Sequence, residues 1–220
     1  MTVVKKLGYK LKFDVNEAKK RVDFLDKLRI DRALSDTTES FQLVFKVIPL
    51  LLHFNHPDLP CYVANAPTGI ARFSLSGFQQ AYLARTFSEE QRKNIQKKHR
   101  TFEQEAILGV YVMGSIASIA QTPSSDLDIW ICHREDLNQN ALELLQQKTN
   151  AIQQWAKRFQ LEINFYLMDQ KRFRCFRYTE PMDGENCGST QYMLLLDEFY
   201  RSAIRLAGKP LLWLHLLVER

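Results

Sequence analysis

At 220 residues, 45% hydrophobic and 25% charged, the chain has an ordinary globular balance and enough apolar material for one large domain or two small ones. Its formal charge of +5 suits an anionic ligand, but the excess is modest and a solvated basic surface would carry it too. No apolar run approaches the length of a membrane span, and the start lacks the apolar segment of an exported protein. Cys61, Cys132, Cys175 and Cys187 form neither a C-x-x-C pair nor a zinc-like spacing with histidine, so reduced thiols in the cytoplasm are the default expectation.

Residues 14 to 53 read as two helices. Asp14 and Glu17 have capping-box spacing, and Ala18, Val22, Leu25 and Leu28 follow at helical intervals. The second helix begins near Thr37, Thr38 and Glu39 and runs through Phe41, Val44, Phe45 and Ile48 to Pro49. From His53 to Ser76 the prolines at 57, 60 and 67 and the lack of period predict loop, followed by polar helix ending in the charged stretch Arg92 to Arg100. That charged stretch reads as a solvated helix face. The five histidines, 53, 56, 99, 133 and 215, have no ligand spacing, which favours structural roles.

The pattern changes near residue 105. Ala106 to Met113 is a continuous apolar run, as in a buried strand, and Asp126 to Cys132 reads as the second strand. Leu137 to Phe159 carries the apolar period of a long amphipathic helix. Leu161 to Met168 alternates as a third strand. Arg172 to Gly188 is a polar loop, and Ser189 or Thr190 caps a last helix through Tyr192, Leu195, Leu196, Phe199 and Ala203, ended by Gly208 and Pro210. A helical region over 1–100 is therefore expected to precede an α/β unit of about three strands over 101–220. The final ten residues carry no stop signal, which reads as a chain continuing into something longer.

The chemistry concentrates around Gly114-Ser115 and, ten residues on, Asp126-Leu127-Asp128. On a strand, residues i and i+2 share a face, so Asp126 and Asp128 project together with Leu127 and Ile129 behind them. Two carboxylates beside a turn rich in backbone donors suit divalent magnesium held against a triphosphate. Glycine at 114 allows close approach to phosphate oxygens, and the hydroxyls of Ser115, Ser124 and Ser125 can donate to them. A third carboxylate would be Glu162, whose strand face also carries Asn164 and Tyr166, or Asp169 at that strand's end. Arg172, Arg174 and Arg177 alternate with Phe173 and Phe176. They could neutralise polyphosphate, contact single-stranded nucleic acid or simply be solvated, and three arginines make a small nucleic-acid footprint. Lys209 is a further candidate phosphate contact. Trp130 falls on the acid-bearing face, where core packing is the expected role.

An apolar strand ending in Gly-Ser, followed after about ten residues by Asp-x-Asp between apolar residues, with a later acid, resembles the DNA polymerase β type nucleotidyltransferase superfamily. Longer strings narrow the likeness: GVYVMGS at 109–115, SSDLDIWICH at 124–133, CGSTQ at 187–191, LLLDEFYR at 194–201 and RLAGK at 205–209. Together with RIDRAL at 29–34 and LLHFNHP at 51–57, they resemble the catalytic half of class I, enterobacterial-type adenylate cyclases from about residue 18 onward. The resemblance implies an α+β fold, a small mixed sheet flanked by helices after a helical N-terminal region. It implies conversion of ATP to 3′,5′-cyclic AMP and pyrophosphate with two Mg²⁺ ions, Mn²⁺ being an alternative. Asp126 and Asp128, helped by Glu162, would hold metal; Gly114 and Ser115 would hold triphosphate; and Lys209 would match an ATP-contacting lysine. It further implies a C-terminal regulatory half linked to sugar-transport control, beyond this chain, and no nucleic-acid partner. Transfer to an external acceptor and a catalytically silent nucleotide-binding module are the competing readings.

Overall fold

A computed structural model describes residues 14–35, 37–97, 105–113, 126–169, 198–199 and 201–210. Helix α1 spans Val15–Ser35, and Asp14 caps it by accepting from the amides of Asn16 (2.8 Å) and Glu17 (3.2 Å). Helix α2 is Glu39–His53, capped by the Thr38 hydroxyl. Pro49 lies inside this helix, which ends at His53 where the loop was expected to begin. Proline inside a helix costs about 3 kcal/mol. Leu50, Leu51 and Leu52 are each fully buried in the turn after it, worth about 1.5–3 kcal/mol apiece, and this burial outweighs the cost. The charged helix is split in two, α3 at Gly77–Thr86 and α4 at Glu89–Gln96, because Ser76 and Ser88 each begin a capping box.

Among the described residues four strands follow, β1 at Ile107–Met113, β2 at Leu127–His133, β3 at Ile163–Asp169 and β4 at Ile204–Gly208, with α5 at Gln139–Lys157 crossing between β2 and β3. The sheet order is β3-β2-β1-β4. It is mixed: β2 and β3 run parallel, as a helical crossover requires, and β1 is antiparallel to both of its neighbours. The architecture is thus α+β.

The strand β4 corrects the sequence reading, in which 204–208 finished a helix. Helical backbone is present at 198–199 and 201–202, but at Ile204 the chain turns into an edge strand paired with β1. Gly208 makes that pairing close. Its φ is +94°, and a Cβ there would lie 2.5 Å from the Leu108 carbonyl oxygen and 2.6 Å from Gly109 Cα. What reads as a helix stop is a point where two backbones touch.

The two faces of the sheet differ. Val110, Val112, Leu127, Ile129, Ile131, Ile163, Phe165 and Ile204 point into the main core, where α2 and α5 cover them. One continuous apolar cluster therefore joins the helical first half to the strands. The other face carries a smaller cluster, Tyr111, Met113, Trp130, Cys132, Met168 and Phe199.

Beneath α5 the fully buried Lys148 donates to Asn55 Oδ1 (3.1 Å) and the Cys61 carbonyl (2.7 Å). Burial lowers its pKa to about 8 and raises that of the Cys61 thiol to about 11. With the lysine's folded value depressed, the unfolded chain binds more protons above pH 8, so this group's penalty is relieved as pH rises. Cys61 opposes it only above about pH 9. Between pH 8 and 9 the parent should therefore gain about 1 kcal/mol of stability relative to Lys148→Met. Urea titrations of both proteins at the two pH values measure this; parallel behaviour would refute it.

Candidate active site

Asp126 immediately precedes β2, and Asp128 is its second residue. Register pairs Asp128 with Met113 on one side and with Asn164 on the other, so the acid pair sits at the β1 C-terminal and β3 N-terminal end of the sheet. Their side chains do converge as the alternation predicts. Asn164 Nδ2 donates to Asp126 Oδ2 at 3.4 Å and to Asp128 Oδ1 at 3.1 Å. Leu127 and Ile129 are fully buried on the opposite face.

The electrostatics follow from this crowding. The half-buried carboxyl of Asp128 is pushed above the usual range, first by desolvation, then by the charges of Asp126 and Glu198, while the Asn164 hydrogen bond pulls it back. A cation placed among these oxygens would relieve the strain. Among the described residues no group of three His, Cys, Asp or Glu side chains is closed up as a metal cluster.

The floor beneath the acids is aromatic. Trp130 is 1% exposed and stacks on Phe199 with centroids 4.8 Å apart, and Phe199 meets Tyr111 edge-on at 5.2 Å. Trp130 is core, as expected. Tyr111 folds back over Gly109, where a Cβ would meet its ring at 2.8 Å, and donates to the Lys209 carbonyl at 2.5 Å. The backbone carrying Phe199 is held from the other side by α1. Arg29 donates to the carbonyls of Ser202 and Ala203, and Arg205 pairs with Asp23 and lies 3.6 Å from Asp26.

The other expected site residues divide by position. Glu162 precedes β3, accepts from the Leu127 amide through its carbonyl (3.0 Å) and, one alternation before Asn164, falls on the acid face beside Asp126. Its side chain is exposed. Asp169 pairs with His133, five residues along β2 from Asp128, which is about 16 Å away. Lys209 likewise lies at the far end: its amide donates to the Leu108 carbonyl, five residues from Met113, again about 16 Å. Desolvation and the charge of Arg72 lower the Lys209 pKa, with Glu105 opposing them. The structure therefore brings Asp126 and Asp128 together, sets Glu162 on the same strand face with an exposed side chain, and leaves Asp169 and Lys209 elsewhere. Gly114, Ser115, Ser124, Ser125, Arg172 and Arg174 lie outside the described residues.

Two residues of the site had no assigned part in the sequence reading. Asn164 was visible as a polar residue on a strand, where asparagine is disfavoured, and on the acid face. Glu198 had no local signal, because only the stacking of its neighbour Phe199 brings it toward Asp128.

Comparison with known proteins supplies the remaining context. A family model described as the adenylate cyclase NT domain matches residues 14–214. The adenylate cyclase of Pasteurella multocida is 62% identical over 211 residues, covering 96% of this chain and 25% of that protein. The Haemophilus influenzae adenylate cyclase is 53% identical over 208 residues, 92% of this chain and 25% of the relative. For the adenylate cyclase of Escherichia coli K12 the figures are 42% over 200 residues, 90% and 23%. The chain thus spans about a quarter of the length of the curated relatives it matches. No solved structure matches it. No helix among the described residues is long and apolar enough to cross a membrane.

Proposed function

The chain belongs to the adenylate cyclase N-terminal domain family of class I, enterobacterial-type enzymes, and on that premise we propose that it is the catalytic portion of an adenylate cyclase converting ATP to 3′,5′-cyclic AMP and pyrophosphate. The observation that carries this reading is the convergence of Asp126 and Asp128 on one nitrogen at the open end of the sheet. A nucleotidyltransferase-like arrangement is part of the same proposal.

The donor set fits magnesium. Both side chains offer hard carboxylate oxygens, and the Asn164 amide engages only one oxygen of each, leaving a second on each for a small cation. Bound there, two Mg²⁺ ions would lower the pKa of the ribose 3′-hydroxyl and offset charge on the phosphates. The residues themselves hold and orient. Asp126 and Asp128 would hold the cation from strand β2, and Glu162, on the same face of β3, would offer a further oxygen donor. The aromatic floor keeps the acids from sinking into the sheet. The 3′-oxygen loses its proton and forms a bond to the α-phosphorus as the α–β phosphoanhydride breaks, releasing pyrophosphate. No protein nucleophile is needed, so catalysis is positioning and charge neutralisation. The phosphate-binding roles of Gly114, Ser115, Ser124, Ser125, Arg172 and Arg174 belong to this proposal as well.

Incubating the purified chain with ATP and Mg²⁺ and identifying the product tests the reading. Cyclic AMP formed without an added acceptor is the expected result. A nucleotidyl group transferred only when an alcohol or RNA acceptor is supplied would replace it with the transferase reading. ATP binding without turnover by the chain would reduce it to a nucleotide-binding module.

A further inference from the structure

The strand position directly across from Asp128 is the natural place for a third acid, because parallel register sets that side chain on the same face and at neighbouring distance. An asparagine occupies it. Its amide nitrogen reaches both aspartates, at 3.1 Å and 3.4 Å, and ionised carboxylates only accept, which fixes the NH₂ group toward them. Asp126 and Asp128 repel one another, and Glu198 adds to the negative field at Asp128. Without a donor between them, the two would relieve that repulsion by rotating apart into solvent. Asp126 is exposed and has room to do so.

We infer that Asn164 is a positioning residue, a neutral hydrogen-bond donor that holds the Asp126 and Asp128 carboxylates on one side so that their remaining oxygens face a common divalent cation. The inference rests on the metal-site reading proposed above and deepens it. It assigns the position across from Asp128 to a donor, and it leaves any third carboxylate to come from Glu162, one step along the same strand face. A ligating carboxylate that is itself hydrogen-bonded keeps its orientation as the metal comes and goes, and loss of such a partner costs about ten- to a hundredfold in metal affinity.

The test is Mn²⁺ titration of the chain, followed by electron paramagnetic resonance, for the parent and for Asn164→Leu, Asn164→Asp and Asp128→Asn. Asn164→Leu should bind Mn²⁺ about ten- to a hundredfold more weakly, and its turnover of ATP should recover as the metal concentration is raised. Asn164→Asp replaces the donor by a third charge in the same shape. Free of metal it should melt below the parent, and Mn²⁺ should raise its melting temperature more than the parent's. If Asn164→Leu keeps the parent's affinity within twofold while Asp128→Asn loses it, the positioning role is wrong and the metal site stands. If the parent binds no Mn²⁺, or Asp128→Asn binds as the parent does, the metal site falls and Asn164's role with it. A metal-free Asn164→Asp chain melting above the parent would also overturn the role.

Discussion

Asp128→Asn should lower cyclic AMP formation by about a thousandfold or more while the metal-free fold becomes firmer. A metal at a transferring phosphoryl group supplies several kcal/mol of transition-state stabilisation, and about 4 kcal/mol corresponds to three orders of magnitude in rate. The amide keeps the shape of the carboxyl but loses one anionic oxygen, so it holds a hard cation poorly. Stability runs the other way. The folded pKa of Asp128 is raised by burial and by Asp126 and Glu198, so the folded chain holds the proton more tightly than the unfolded chain does. That contribution is greatest below the unfolded pKa and is lost as pH rises through the folded value. At neutral pH the ionised group therefore weighs against the fold, and an uncharged amide removes the burden. Labelled ATP conversion and thermal unfolding without metal measure the two effects. A variant that kept more than a tenth of the parent's rate would show that Asp128 holds no essential metal.

Phe199→Ala should cost about 3–5 kcal/mol of stability, the usual range for emptying a buried aromatic site. Phe199 is fully buried, stacked on Trp130 and set edge-on to Tyr111, and it comes from a segment that lies across the face of the sheet. The truncation removes its buried area and both ring pairs, each pair being worth about 0.5–1.5 kcal/mol. Trp130 and Tyr111 are cross-strand partners, and Phe199 packs against both rings. Glu198, one residue away, would lose its placement near Asp128 at the same time. Urea unfolding gives the stability loss, and near-ultraviolet circular dichroism reports whether Trp130 and Tyr111 lose their fixed surroundings. A change under 1 kcal/mol with an unaltered aromatic spectrum would mean that this packing is absent in solution.

Much of the architecture was legible because it is local. Asp14 and Thr38 mark the starts of the first two helices, capping being a matter of three or four residues, and the apolar period after Thr38 marks the buried face of the second, whereas Leu25 and Leu28 of the first stay exposed. The apolar runs at 107–113 and 127–133 are buried strands for the same reason that any such run avoids water. Alternation alone set Asp126 beside Asp128 and opposite Leu127. The last strand was not legible: Ile204 to Gly208 follows helical residues directly, and only the presence of β1 alongside makes extension the better choice there.

The candidate site divides along the same line. From its residues alone the chain determined that two acids share one strand face, since that follows from spacing; the metal-assisted chemistry of phosphates belongs to the proposal built on that pair. Which residues stand around that pair was decided by tertiary structure. Parallel pairing of β2 with β3 put Asn164 between the two acids and carried Asp169 to the far end. The β1–β4 pairing set Lys209 equally far away, and a single aromatic stack brought Glu198 in. Side-chain direction along a strand is a property of the backbone, whereas neighbours across strands depend on register, and register is fixed only when the whole apolar face finds its core.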